Sequence, residues 1–276
     1  MTTVSFDHTT TEHGPAHARC LAYAAELAYG ESEQARRQAA EWGFDRFRFI
    51  EADFSPPFAL DHTQAYVMAS QDMIVVTFRG TEPAQICDWL SDGKAPMVAH
   101  PSGKGRVHWG FHTALEAVYP RIREAVEEFR TNGQTLWFAG HSLGGALAML
   151  AAARAHFDDS PLSPDGVYTF GQPRTCDGDL ADAYDRALKG RTHRYVNNND
   201  IVPQVPPEPL YEHVDREWYF DADGRLQEKK SMGLLGGMAD KAKGYALGAA
   251  AFKPGADGLT DHFMSAYLTC VDNAAD

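Results

Sequence analysis

FAGHSLGGA, residues 138–146, is the stretch that decides the fold. At its centre, Gly140-His141-Ser142-Leu143-Gly144 matches G-x-S-x-G. Just before the serine lies TLWFA (135–139), a short, fully apolar run of the kind a buried parallel strand has. After it, residues 142–156 are rich in alanine and read as a helix. The pentapeptide alone is a weak signal, because small residues produce it by chance. A strand that turns into a helix at the serine is the setting this motif needs. The turn is sharp, so side chains two residues before and two after the serine would collide, and both positions want glycine. The bend lifts the Ser142 hydroxyl above the sheet, and the N–H groups that open the helix face the same point and favour negative charge. Ser142 is the expected nucleophile.

Working outward, residues 17–29 read as an amphipathic helix and 33–42 as a second. Gln64–Ser70 and Met73–Phe78 are apolar runs separated by Gln71-Asp72, which predicts a hairpin. Phe111–Arg130 carries apolar residues at helical spacing. Past the serine come a strand at Gly166–Phe170, a helix at Leu180–Leu188 and a strand at His193–Val196. A hairpin follows, Glu217–Phe220 and Arg225–Glu228 around Asp221–Gly224. A last helix is expected over Asp261–Cys270. From Trp137 onward the order strand, helix, strand, helix, strand predicts a parallel sheet covered on both faces, with antiparallel pairing near its edges. Residues 1–276 are expected to form one α/β domain of the hydrolase type.

The 276 residues are 44% hydrophobic, enough for a sizeable core. Against 25 Lys and Arg stand 38 Asp and Glu, a net charge of −13. That balance argues against nucleic acid as a partner and against purely electrostatic docking on anionic lipid. The first residues, MTTVSFDHTTTEHG, lack a basic region followed by an apolar one, so no secretory signal is expected. The compartment is left open between cytoplasmic, mature and unconventionally exported forms. No run of 18 apolar residues predicts a transmembrane helix. Cys20, Cys87, Cys176 and Cys270 show no metal-ligand spacing. They read as free or buried thiols, with a Cys20–Cys270 bridge as the alternative. No metal and no organic cofactor is expected.

A serine hydroxyl needs a base to take its proton, and a third group to hold that base in one tautomer. In this fold the chain order is nucleophile, acid, histidine. Asp200 follows the strand ending at Val196, at the edge of the sheet where such an acid belongs, and the Ile-Val-Pro after it keeps the chain extended. Of 12 histidines, only His213 and His262 lie downstream of Asp200. His141 is expected to point away from its neighbour Ser142. The oxyanion of an acyl-transfer step needs two N–H donors, and one is expected from Leu143, the residue after the nucleophile. The second is expected from the loop after Met73–Phe78.

FRGTE (78–82), DWLSD (88–92), VHWGF (107–111), GHSLGGA (140–146), TFGQPR (169–174), NNNDIVPQVPP (197–207) and DHFMSAY (261–267) occur in that order. Together they resemble the class 3 lipases, the fungal-type triacylglycerol lipase family, from about Tyr66 to Tyr267. The resemblance implies Asp200 as acid, His262 rather than His213 as base, and Thr81 as the second oxyanion donor. It also implies that Pro83–Leu90, with Ile86, Trp89 and Leu90, is a lid over an acyl pocket. A lipid or other ester, met at a lipid–water interface, is the implied substrate. Two features depart from the family pattern. Residues 229–260 are Gly- and Ala-rich and long, and Met232–Phe252 within them is left open between a second flap, an acyl-pocket wall and a buried helix. Asp215 stands where such lipases often have glycine. Alternative readings are phospholipase A1, feruloyl esterase or polyester hydrolase on the same scaffold, or a lipase-like binding protein without catalysis.

Overall fold

The computed structural model describes residues 4–53, 62–81, 96–158, 162–228 and 257–275. In chain order the elements are α1 (Pro15–Leu27), α2 (Ser32–Glu41), β1 (Arg46–Asp53), β2 (His62–Ala69), β3 (Met73–Phe78), β4 (Met97–Ala99), β5 (Arg106–His108), α3 (Trp109–Phe129), β6 (Thr135–His141), α4 (Leu143–Phe157), β7 (Gly166–Phe170), α5 (Gly178–Ala187), β8 (Thr192–Asn197), β9 (Arg216–Phe220), β10 (Leu226–Glu228), α6 (Asp257–Thr260) and α7 (Met264–Ala275). Eight strands form one sheet in the order β1-β2-β3-β6-β7-β8-β9-β10. The interior pairs from β3 to β9 are parallel, and β1-β2-β3 and β9-β10 are antiparallel. This is the mostly parallel sheet of an α/β-hydrolase fold.

The central strands are buried along their lengths, save Thr135 at the start of β6. MIVVTF of β3 and GVYTF of β7 have no exposed position. A sheet covered on both faces needs apolar residues at both parities. One face packs α3, α4 and α5 around Val76, Phe111, Phe138, Leu147 and Val167. The other packs α1 and α7 around Val75, Trp137, Tyr168, Phe170 and Tyr267. Arg19 and Tyr23 of α1 both bond Asp272 of α7, at 2.6 and 2.9 Å, so the two helices are tied as well as packed. Among the described residues no helix is long and apolar enough to cross a membrane.

The hairpin at Gln71-Asp72 forms as expected, closed by the Ser70 N–H on the Met73 carbonyl at 2.8 Å. Strand β1 has no counterpart in the sequence reading, although RFRFIEAD pairs with β2 along its whole length. The short β4–β5 hairpin has none either. The last helix starts later than expected, at Met264, so His262 sits in a turn and not in a helix. The Cys20–Cys270 bridge does not form. Both thiols are free and buried, Cys20 donating to the Ser5 carbonyl and Cys270 to Asn197 Oδ1. Asp215 adopts φ 47°, a left-handed conformation that glycine enters without strain. Here its carboxylate stabilises the turn by accepting from the N–H groups of Gly190, Thr192 and Arg216. Pro83–Leu90, with Ile86, Trp89 and Leu90, lies outside the described residues, as do Cys87 and Met232–Phe252.

Candidate active site

Parallel strands end along one edge of the sheet, and three loops leave that edge side by side. Strand β6 hands over to α4 through Ser142, whose φ of 58° and ψ of −127° are strained for any residue but glycine. Two bonds hold the strained peptide, the Ser142 N–H on the Phe170 carbonyl at 2.8 Å and the Gly145 N–H on the Ser142 carbonyl at 3.0 Å. The flanking glycines are required by contact. A Cβ on Gly140 would lie 2.2 Å from the Gly144 carbonyl oxygen, and one on Gly144 would lie 2.2 Å from the Phe78 carbonyl oxygen.

From the turns before α4 and before α7, Ser142 and His262 meet across 120 positions of sequence. His262 Nε2 is 2.9 Å from Ser142 Oγ, and Nδ1 is 2.9 and 3.0 Å from the two oxygens of Asp200. A carboxylate only accepts, so the ring proton sits on Nδ1 and the Nε2 lone pair faces the serine hydroxyl. That is the tautomer a general base requires. Ser142 and His262 are fully buried and Asp200 is 1% exposed, so these polar contacts are made away from water, where they are strongest.

Asp200 has further partners that keep its orientation. It accepts from the Val202 N–H at 2.9 Å and from the Tyr267 hydroxyl at 2.6 Å. The same hydroxyl accepts from the Asn197 N–H at 3.0 Å, so Tyr267 joins the strand end to the acid. Burial, and then the neighbouring Asp200 charge, push the Tyr267 phenol well above its ordinary value and keep it a donor. The turn carrying His262 is pinned by the Asn-Asn-Asn run. Asn197 Nδ2 donates to the Asp261 carbonyl at 3.0 Å. Asn198 Nδ2 and the Asn199 N–H donate to Asp261 Oδ2 at 3.0 and 3.1 Å.

Of the sequence candidates, Ser142, Asp200 and His262 come together. Thr81 follows β3 and Leu143 opens α4, and both are buried. Strands β3 and β6 are neighbours, with Phe78 opposite Gly140, so the two loops leave the sheet next to each other. The N–H groups of Leu143 and Gly144, which open α4, have no acceptor within the helix. His213 is elsewhere, its Nε2 bonded to the Pro203 carbonyl at 2.7 Å. His141 is directed away from the serine hydroxyl as expected, but it is not idle. Its Nε2 is 2.7 Å from the His262 carbonyl oxygen and its Nδ1 is 2.7 Å from the Tyr29 hydroxyl. The sequence reading gave no role to Tyr29, His141, Asp261 or Tyr267. Tyr267 and Asp261 fall inside the DHFMSAY run, the one signal that could have found them.

Residues 75–210 match the family model described as Lipase (class 3). A secreted mono- and diacylglycerol lipase of Fusarium solani is 36% identical over 54% of this chain and 44% of its own length. A lipase of Rhizomucor miehei is 33% identical over 55% of this chain and 42% of its own. The chain spans less than half the length of these curated relatives. Lipase II from Rhizopus niveus is 26% identical in a superposition covering 76% of this chain and 83% of that one, with a TM-score of 0.59.

Proposed function

Because this chain belongs to the class 3 lipase family, we propose that it hydrolyses acyl-ester bonds through an acyl-enzyme on Ser142. The observation that carries the reading is the continuous bond chain Ser142–His262–Asp200 at a strained strand-to-helix turn. Ser142 Oγ attacks the ester carbonyl carbon while His262 Nε2 takes the hydroxyl proton. Asp200 stabilises the imidazolium and keeps the ring oriented. The N–H groups of Thr81 and Leu143 hold the oxyanion, each worth about 2.7–4 kcal/mol in the transition state. His262 then gives its proton to the departing alcohol. Water enters, is deprotonated by His262, and releases the acid.

The substrates proposed are acylglycerols, triacylglycerol first. The name of the Fusarium solani relative, a mono- and diacylglycerol lipase, favours glycerol esters over phospholipid, feruloyl or polyester substrates. Pro83–Leu90 remains the proposed lid, because it follows the oxyanion loop and carries three large apolar residues.

A fluorophosphonate probe tests the chemistry, and an ester panel tests the substrate class. The probe should label the wild type at Ser142 alone, and Ser142→Ala should lose both labelling and hydrolysis while staying folded. Labelling at another serine would overturn the assignment. Emulsified tri-, di- and monoacylglycerols, set beside phospholipid and chromogenic esters, should give the highest rates on acylglycerols.

A further inference from the structure

We infer that Tyr29 and His141 are positioning residues, a buried two-bond brace that fixes the base His262 relative to the oxyanion loop. The inference rests on the ester-hydrolase reading above and names two residues which that reading leaves without a role.

The direction of the brace follows from donor chemistry alone. The His262 carbonyl can only accept, so His141 Nε2 carries the proton and donates to it at 2.7 Å. In a neutral ring Nδ1 is then an acceptor, and the Tyr29 hydroxyl 2.7 Å away must be the donor. Tyr29 to His141 to the His262 carbonyl is thus a one-way chain with a single permitted tautomer. It reaches the base through its backbone carbonyl, whereas Asp200 reaches it through the ring.

Its other end lies against the oxyanion loop. A Cβ at Gly80 would fall 2.2 Å from the Tyr29 hydroxyl, 2.6 Å from the His141 carbonyl oxygen and 3.2 Å from Ser142 Cβ. The Arg79 guanidinium sits 5.8 Å from the centre of the Tyr29 ring. So the hydroxyl that orients His141 also touches the peptide just before Thr81. Base, nucleophile and oxyanion loop are registered to one another through a phenol carried just past α1. Movement of any one of them strains the same pair of bonds.

The ring of His141 is 4.7 Å from that of His262, tilted by 31°. An imidazolium forms on His262 during catalysis, and a second positive ring at that distance would oppose it. Burial first, and then the neighbouring His262, hold His141 well below its ordinary value, so it stays neutral. It can therefore brace the base without competing for its charge. Small displacements matter here, since about 1 Å of misplacement can cost on the order of 100-fold in rate.

The test uses three variants of the full chain. Tyr29→Phe removes one donor and keeps the ring. His141→Leu removes both bonds. His141→Gln keeps an N–H that can reach the His262 carbonyl. Each is read by fluorophosphonate labelling rate at Ser142, by kcat and KM on a short soluble ester, and by melting temperature. Tyr29→Phe and His141→Leu should label and turn over about tenfold or more slowly, with KM within about twofold, and His141→Gln should recover most of the loss. If His141→Leu does not fold, Tyr29→Phe and His141→Gln still decide the matter. Wild-type labelling rates in Tyr29→Phe, or losses that track melting temperature and are not rescued by His141→Gln, would overturn the brace alone. A wild type that is not labelled at Ser142 would overturn the ester-hydrolase reading and the brace with it.

Discussion

Acid should destabilise this protein before its carboxylates titrate, because buried histidines, His17, His100 and His108 among them, must stay neutral. His17 stands edge-on to Trp137 at 4.3 Å under α1. His100 accepts from the Ser102 N–H in the turn after β4. His108 caps α3, its Nδ1 accepting from the N–H groups of Gly110 and Phe111. Burial is the main cause in each case, and each falls from an ordinary value of 6.5 to about 4. The unfolded chain therefore binds protons that the native rings refuse. Stability is full above about pH 6.5, falls as pH drops towards about 4, and is level below that. Between about pH 7.5 and about pH 5 each ring costs RT times the logarithm of a ratio near 30, or about 2 kcal/mol. The three lie apart and should add, so about 6 kcal/mol is lost, against a total of about 5–15 for a domain. Urea unfolding followed by tryptophan fluorescence, at constant ionic strength across that range, measures it. His108→Asn makes the assignment specific. Asparagine is a good N-cap, so stability near pH 7.5 should hold while the acid loss shrinks by about 2 kcal/mol. A pH-independent stability over this range, or a full loss retained in His108→Asn, would refute the reasoning.

Three further outcomes are expected. His262→Ala should cost nearly as much activity as Ser142→Ala, because the two act as one unit, while His213→Ala keeps most of it; kcat on a soluble ester ranks them. Gly144→Ala should cost at least about 1–3 kcal/mol or fail to fold, since the added carbon meets the Phe78 carbonyl oxygen at 2.2 Å and backbone must move; the urea midpoint reports it. If Pro83–Leu90 is a lid, activity should jump once substrate exceeds its solubility, and Trp89→Ala should weaken that jump more than it weakens hydrolysis of a short soluble ester. A smooth hyperbola through the solubility limit would remove the lid from the proposal.

The proposed nucleophile and acid were legible because each sits on a short run with its own geometric demand. Ser142 is framed by two glycines at a strand-to-helix turn, and Asp200 follows a strand end. The choice between His213 and His262 was not legible from chain order, and only resemblance separated them. The roles of Tyr29, Asp261 and Tyr267 were illegible for another reason, although the last two lie in the DHFMSAY run. Each acts on a partner 62 to 112 positions away, and no local pattern marks such a contact. Strand β1 does carry a period-two signal, Phe47 and Phe49 alternating with Arg46 and Arg48. The arginines obscure it, yet they have structural partners. Arg46 bonds the carbonyls of Phe129 and Ser70, and Arg48 pairs with Glu128. The helix expected from Asp261 starts three residues later because Asp261 is spent on the Asn198 and Asn199 contacts, which hold the chain in a turn.

The sheet divides the apolar interior into two bodies, and the proposed nucleophile and base straddle the division. Leu143, Ala146 and Leu147, which seat the serine, belong to the body packed with α3. Met264, Tyr267 and Val271, which seat the histidine, belong to the body packed with α1. The 2.9 Å separation of Ser142 Oγ and His262 Nε2 is therefore a difference between two large coordinates, each set by a different half of the molecule. Slippage of either half changes that difference directly, while secondary structure and most buried area survive. On the proposed function, turnover is thus the most sensitive gauge of native packing, and a preparation can keep its secondary structure and still have lost its alignment.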